Sequence, residues 1–88
     1  MTDFERNELK WELETYAKIL EEKYVESENE IERANKANPF DMGRYKQALY
    51  NRGRQYGKLH TICQAMEIVD KYLELGLDIP EKGKLIRP

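Results

Sequence analysis

The chain has 88 residues, of which 36% are charged and 40% hydrophobic, with only five glycines and three prolines. A chain this short holds one domain, because two halves could not each bury a core. The composition argues against a β-sandwich or a disordered tail and is typical of long amphipathic helices. No run of about 20 apolar residues could cross a bilayer. A single cysteine and a charged N-terminus without a secretion signal predict a soluble, cytoplasmic protein.

Charge is unevenly distributed along the chain, although the formal net charge is only -2. Residues 1–32 hold eleven acids and four bases, whereas residues 33–60 hold one acid and seven bases. Residues 61–88 are close to neutral, with five acids and four bases. Such a division predicts either a nucleic-acid surface in the middle of the chain or two segments that lie against each other.

The first part of the chain has the pattern of a long amphipathic helix. Thr2 and Glu5 have capping-box spacing, in which a hydroxyl and a carboxylate each accept from a free amide at a helix start. Mostly apolar residues then recur at steps of three and four, and neither Gly nor Pro interrupts them. These residues are Leu9, Leu13, Tyr16, Leu20, Tyr24, Ser27, Ile31 and Ala34. The pattern predicts a first helix over about residues 3–36.

A turn is predicted at about residues 36–38. Pro39 disfavours the helical conformation at Asn38 and suits the first position of a new helix. Asn38 is therefore the predicted N-cap of the second helix, and Asp41 adds negative charge to its first turn.

The second helix is predicted over about residues 39–75, where apolar residues again recur at helical spacing. Gly76 is its predicted left-handed C-cap. Prolines and a glycine beyond it predict an extended tail over residues 77–88. The apolar anchors of this tail are Ile79, Leu85 and Ile86.

Two long helices joined by a short turn are expected to lie antiparallel, as an all-α helical hairpin. Counting outward from the turn places Leu20 near Leu59 or His60, and Ser27 near Gly53. This register sets the basic run of the second helix beside the glutamates of the first, so that the charges select the register.

Two glycines within the second helix, Gly53 and Gly57, cost about 1 kcal/mol each relative to alanine. We therefore expect something to pack against them, and Ser27 opposite them suggests a close approach of the two helices.

The second half of helix 2 carries more apolar residues than one neighbouring helix can cover. The tail could fold back, a second copy could complete a coiled-coil-like four-helix bundle, or another partner could bind. The prediction favours the homodimer. Its expected interface residues are Ile62, Ala65, Met66, Val69, Tyr72 and Leu73.

Few residues could carry chemistry. His60 and Cys63, the only His and Cys, share one side of helix 2, as a metal pair or a thiol–imidazole pair would. However, zinc needs three or four ligands, and a thiol nucleophile needs an oxyanion site and an orienting group. No phosphate-binding glycine loop, G-x-S-x-G or H-E-x-x-H motif occurs. We predict a non-enzymatic protein without metal or cofactor, with both residues in the core or at its rim.

Nucleic-acid binding is one alternative function, because residues 44–58 interleave tyrosines with bases as single-strand binders do. Against it, Tyr45 and Tyr56 fall on the predicted core side, and the isoelectric point is near 5.5. The candidate contact residues are Lys46, Tyr50, Arg52, Arg54 and Lys58.

The preferred prediction is a small regulatory or inhibitory protein that binds a partner protein. The acidic outer face of helix 1 is expected to dock on a basic partner. Trp11 is either a second anchor, as Trp is at many binding hot spots, or a cover for the dimer core or the tail. The acidic residues are Glu14, Glu21, Glu22, Glu28 and Glu32. A structural role as a bundle subunit is a second alternative.

Overall fold

A computed structural model describes residues 1–84 of the chain. Two long antiparallel helices, α1 (Asp3–Lys36) and α2 (Met42–Leu73), are followed by a short 3-10 helix, Glu81–Gly83. No strand occurs in this part of the chain. The predicted all-α hairpin is therefore confirmed, whereas the four-helix bundle stays a prediction. Leu85 and Ile86, two of the predicted tail anchors, lie outside the described residues.

The N-terminus of α1 has the predicted capping box. The Glu5 amide donates to Thr2 Oγ1 at 3.1 Å, and the Thr2 amide donates to Glu5 Oε1 at 2.9 Å. These hydrogen bonds hold the pKa of Glu5 below its usual range. The box fixes the start of α1 at Asp3, as predicted.

The N-terminus of α2 differs from the prediction. Asp41 is the N-cap, and its carboxylate accepts from the Arg44 amide at 3.2 Å. The predicted cap at Asn38 and the start near residue 39 are therefore wrong. Aspartate brings a full negative charge to the converging amide dipoles of the helix, which favours it at this position.

The two helices meet along a narrow seam of buried residues, many of them small. Small side chains on both helices allow the helix axes to approach closely. Ser27, the buried polar residue of the seam, satisfies its hydroxyl by donating to the Tyr24 carbonyl oxygen at 2.5 Å. The buried residues are Ala17, Leu20, Ser27 and Ala34 on α1, and Ala48, Leu59, Cys63 and Met66 on α2. The predicted contact of Leu20 with Leu59 is confirmed.

The predicted packing against Gly53 and Gly57 is wrong. Both glycines are exposed, and a Cβ atom added to either would meet nothing within 4 Å. Ser27 instead lies beside Asn51 and Gln55, which line a shallow surface depression with it. The alanines and the serine of the seam permit the close approach that the glycines were expected to provide.

The predicted charge complementarity between the helices is realised at one place among the described residues. Arg44 Nε donates to Glu30 Oε1 at 2.8 Å, which ties the start of α2 to α1. Other glutamates pair within α1: Glu26 and Glu30 contact Arg33, and Glu32 contacts Lys36. The acidic and basic blocks therefore fix the turn end of the hairpin more than its length.

The C-terminus of α2 also differs from the prediction. The helix ends at Leu73, and Glu74, not Gly76, is the C-cap, in the left-handed conformation with φ of 51°. Asp70 Oδ1 accepts from the Gly76 amide at 2.8 Å, which turns the chain away from the helix. Arg6 Nη2 donates to the Leu73 carbonyl oxygen at 2.7 Å and to the Glu74 carbonyl oxygen at 3.1 Å. A side chain from α1 thus satisfies carbonyls that a helix end leaves without partners.

Candidate functional site

The tail turns back along the hairpin after α2 and covers one side of the seam. Ile79 packs against the core cluster of Leu20, Leu59 and Cys63. Gly83 is buried against α2, where an added Cβ would lie under 3.0 Å from both Cys63 Sγ and Leu59 Cγ. Only glycine permits so close an approach. The tail therefore covers part of the apolar surface of α2. This is one of the three possibilities that the sequence left open.

Polar contacts hold the tail in place as well. His60 Nδ1 lies 2.7 Å from the Gly83 carbonyl oxygen, and because a carbonyl only accepts, this nitrogen carries the proton. The His60 ring stacks on Tyr56 at 5.8 Å between centroids. At the other end of the tail, the Asp78 amide donates to Glu14 Oε2 at 2.6 Å. Both α1 and α2 thus form hydrogen bonds with the tail.

The two residues considered for chemistry, His60 and Cys63, are used in this packing. Cys63 is buried, with 1% of its surface exposed. Burial, followed by the negative charges of Glu67 and Glu21, raises the pKa of its thiol. A thiol held protonated is a poor nucleophile and a poor metal ligand. Within residues 1–84 no group of three or more His, Cys, Asp or Glu side chains is placed to hold a metal ion.

A concave surface lies where the tail meets α1, and we call it the Trp11 cleft. Its volume is about 660 Å³. One wall comes from α1 and the other from tail residues 78–82. The lining residues are Trp11, Glu14, Thr15, Lys18 and Glu21 of α1 and Asp78, Ile79, Pro80, Glu81 and Lys82 of the tail. The sequence pattern indicated the α1 wall of the cleft but not the tail wall. Gly83 was the residue that could have indicated a close approach of the tail to α2.

The Trp11 cleft is acidic and contains an exposed aromatic ring. Four carboxylates line it against two ammonium groups. Trp11 remains 66% exposed, so the tail lies beside the indole without covering it. Two of these charges have partners outside the cleft: Lys82 Nζ lies 3.4 Å from Glu28 Oε1, and Glu81 Oε1 lies 2.9 Å from Lys84 Nζ. The excess of negative charge in the cleft is therefore unchanged. The arrangement can accept a cationic group over the indole with carboxylates around it.

The residues predicted for partner binding do not all lie on one surface. Trp11, Glu14 and Glu21 come together in the cleft. Glu28 lies on the other side of the tail and pairs with Lys82. The remaining two are outside the cleft: Glu22 is exposed, and Glu32 pairs with Lys36 at 2.8 Å.

The residues predicted for a dimer interface do not share one exposed surface. Met66 is 0% exposed within the single chain, so it cannot be an interface residue. Ile62, Val69 and Leu73 are half-buried, whereas Ala65 and Tyr72 are exposed. A second copy could reach only part of the predicted set.

The candidate nucleic-acid residues are all exposed, but they point to different sides of the hairpin. Arg54 and Lys58 line a groove on the side away from the tail. Arg52 lies towards Tyr24 on the tail side, where its charge opposes the rise in the pKa of Tyr24 that burial and Glu28 cause. The five residues do not form one continuous basic surface.

Comparisons with other proteins leave the site to be interpreted from its own geometry. No protein-family model, curated protein or solved structure matches the chain. None of the helices in residues 1–84 combines the length and apolar character needed to cross a bilayer.

Proposed function

We propose that the chain is a non-enzymatic protein-interaction module that binds a basic segment of a partner protein in the Trp11 cleft. One observation carries the proposal: an indole that is 66% exposed lies in a concave surface where four carboxylates outnumber two lysines. A large aromatic side chain left uncovered by its own chain is a common binding anchor.

The chemistry of the cleft suits an arginine or lysine side chain. A cation over an indole gains roughly 0.5–1 kcal/mol at an exposed site and about 2 kcal/mol when desolvated. Arginine can in addition donate to a carboxylate through two parallel hydrogen bonds. Glu21 is half-buried and lines the cleft about three helical turns from Trp11, so a basic segment several residues long is needed to reach both. Its partial burial favours pairing with an incoming cation over full hydration.

Binding of this kind would give the protein a regulatory or inhibitory role, because a basic segment held in the cleft is no longer available to its other ligands. The partner would be encountered in the cytoplasm. The rigid wall of α1 and the seated tail preform the cleft, which lowers the entropy lost on binding.

Trp11 is the sole tryptophan, so its fluorescence reports on the cleft alone. We expect a hexa-arginine peptide to change this fluorescence saturably. Glu21→Gln should weaken the peptide about three- to tenfold, because one charge-assisted hydrogen bond is lost. Glu22→Gln is the matched control: it removes the same charge from the neighbouring, exposed position outside the cleft. Equal weakening by both variants, or no saturation, would refute the proposed site.

Nucleic-acid binding is the alternative function, and the observation in its favour is that Tyr50, one helical turn from Lys46 and from Arg54, is 67% exposed. The division of the basic residues between two sides makes it the weaker of the two. We expect a fluorescent thymidine 20-mer to show no binding in 50 mM salt by anisotropy. Binding that falls steeply with salt and disappears in Arg54→Glu, but not in Arg52→Glu, would reverse this preference.

A further inference from the structure

Residues 1–84 leave the side of the hairpin opposite the tail uncovered, and we call this side the open face. A groove of about 560 Å³ follows the seam there. Its lining is apolar at Tyr16, Leu20, Ile62 and Ala65. Residues 77–84 of the tail, which cover the other side of the seam, do not line this groove.

One stripe of the open face lies on α1. Glu12, Tyr16, Ile19 and Lys23 follow one another at steps of four, three and four, which places them on one side of the helix. Tyr16 is 54% exposed and Ile19 is 45% exposed. Neither Glu12 nor Lys23 takes part in an ion pair among residues 1–84. The stripe thus has an acid at one end, a base at the other and two exposed apolar residues between them.

A second stripe of the open face lies on α2 and has the same spacing. It contains two cations at one end and two large exposed apolar residues at the other. Ile68 is 60% exposed, and Tyr72 is 74% exposed. The stripe consists of Arg54, Lys58, Thr61, Ala65, Ile68 and Tyr72.

Both stripes are complementary to themselves when read in the opposite direction. If α1 lies antiparallel to α1 of a second copy, Tyr16 meets Ile19 of that copy and Glu12 meets Lys23. If α2 does the same, Thr61 meets Ala65 and Arg54 lies on the ring of Tyr72. Lys58 meets Ile68, against which the methylene groups of the lysine can pack. The acid and the base of the α1 stripe, which form no ion pair among residues 1–84, each find a partner of opposite charge.

The two stripes share one symmetry axis. The α1 stripe is centred between Ala17 and Lys18, and the α2 stripe at Cys63. The ring centroids of Tyr24 and Tyr56 lie 5.7 Å apart, which sets these two residues level across the seam. Seven residues back along α1 and seven forward along α2 lead to Ala17 and Cys63. The centres of the stripes are therefore at the same height, as a two-fold axis requires.

We propose that a second copy of the chain binds the open face through a two-fold axis at this level, with α1 against α1 and α2 against α2. The product is an antiparallel four-helix bundle. Its interface uses Ile62, Ala65 and Tyr72 of the predicted set but not Met66. The Trp11 cleft lies on the other side of each hairpin and stays open, so this proposal stands independently of the proposed function.

The test is light scattering over a concentration series, with circular dichroism to verify that each variant is folded. The wild-type mass should approach twice the 10.5 kDa of the chain. Glu12→Lys and Lys23→Glu should each weaken the dimer about tenfold or more, because each places like charges together at two symmetric positions. The double variant E12K/K23E should restore the wild-type dissociation constant to within about threefold, since it exchanges the two charges.

Glu22→Lys is the matched control, because it reverses the same charge on α1 at an exposed position outside the stripe. It should leave the dimer intact. A wild-type chain that remains monomeric at millimolar concentration would overturn the proposal. A dimer that the double variant fails to restore would overturn the antiparallel pairing of α1.

Discussion

Gly83→Ala is expected to detach the tail from α2 and to expose the Cys63 thiol. The added methyl group would lie under 3.0 Å from Cys63 Sγ and Leu59 Cγ, both of which are held in the core. Forcing an extra methyl into a filled site costs about 1–3 kcal/mol. That cost falls on the tail, because its few contacts are easier to break than the helix pair. The reaction of Cys63 with a disulfide reagent at pH 8 should accelerate by at least about tenfold.

Gly57→Ala is the matched control for this prediction. It makes the same chemical change, but the new Cβ meets nothing within 4 Å. Alanine in place of an exposed helical glycine should raise the free energy of unfolding by about 0.5–1 kcal/mol and leave the thiol slow to react. Hydrogen exchange of the tail amides should separate the two variants. An unchanged thiol reaction rate in Gly83→Ala would mean that the tail does not seat on α2.

Met66→Ala should lower the free energy of unfolding by about 2–5 kcal/mol, the range found when a large buried side chain is truncated. Met66 is 0% exposed and belongs to the seam within one chain. Met42→Ala is the matched control, because Met42 is also in α2 but is 55% exposed. Its effect should stay within about 0.5 kcal/mol. Urea unfolding followed by circular dichroism measures both.

The loss of unfolding free energy in Met66→Ala can be measured at several protein concentrations. Its concentration dependence shows whether Met66 is buried within the chain or at an interface between chains. We expect the difference between Met66→Ala and wild type to be the same in the monomer as in any oligomer. A difference that vanishes on dilution would place Met66 at an interface between chains and contradict its position in the seam.

Periodicity predicted the helices of this fold well, because the same spacing of apolar residues recurs over many turns of each helix. The bounds of α1 follow from a capping box and from apolar steps that extend over 34 residues. The antiparallel register follows from the short turn, and it correctly placed Leu20 against Leu59. Errors at single positions do not disturb a pattern of this length.

The ends of α2 were predicted less well, because several residues there compete for one role. Asn38 and Asp41 can both cap a helix, and only the final backbone conformation selects between them. At the other end, Gly76 has a positive φ of 68°, as expected of a C-cap glycine. Glu74 nevertheless takes the cap position, since Asp70 and Arg6 satisfy the backbone groups around it. Such tertiary contacts do not appear in a local pattern.

The candidate site was half visible in the sequence. Trp11 and the nearby glutamates stood out because they lie off the apolar side of α1. The tail wall did not, because residues 78–82 have no periodic pattern and acquire their position from the packing of Ile79 and Gly83.

The Arg6 guanidinium has a consequence for local unfolding. The first turns of α1 and the last turn of α2 form the open end of the hairpin, where helices normally fray independently. Arg6 donates to two carbonyl oxygens of α2. Unfolding of the first turns of α1 therefore removes hydrogen bonds from the last turn of α2. We therefore expect the open end to unfold as one cooperative unit. The tail, which starts there, leaves the hairpin from a point that is held by both helices.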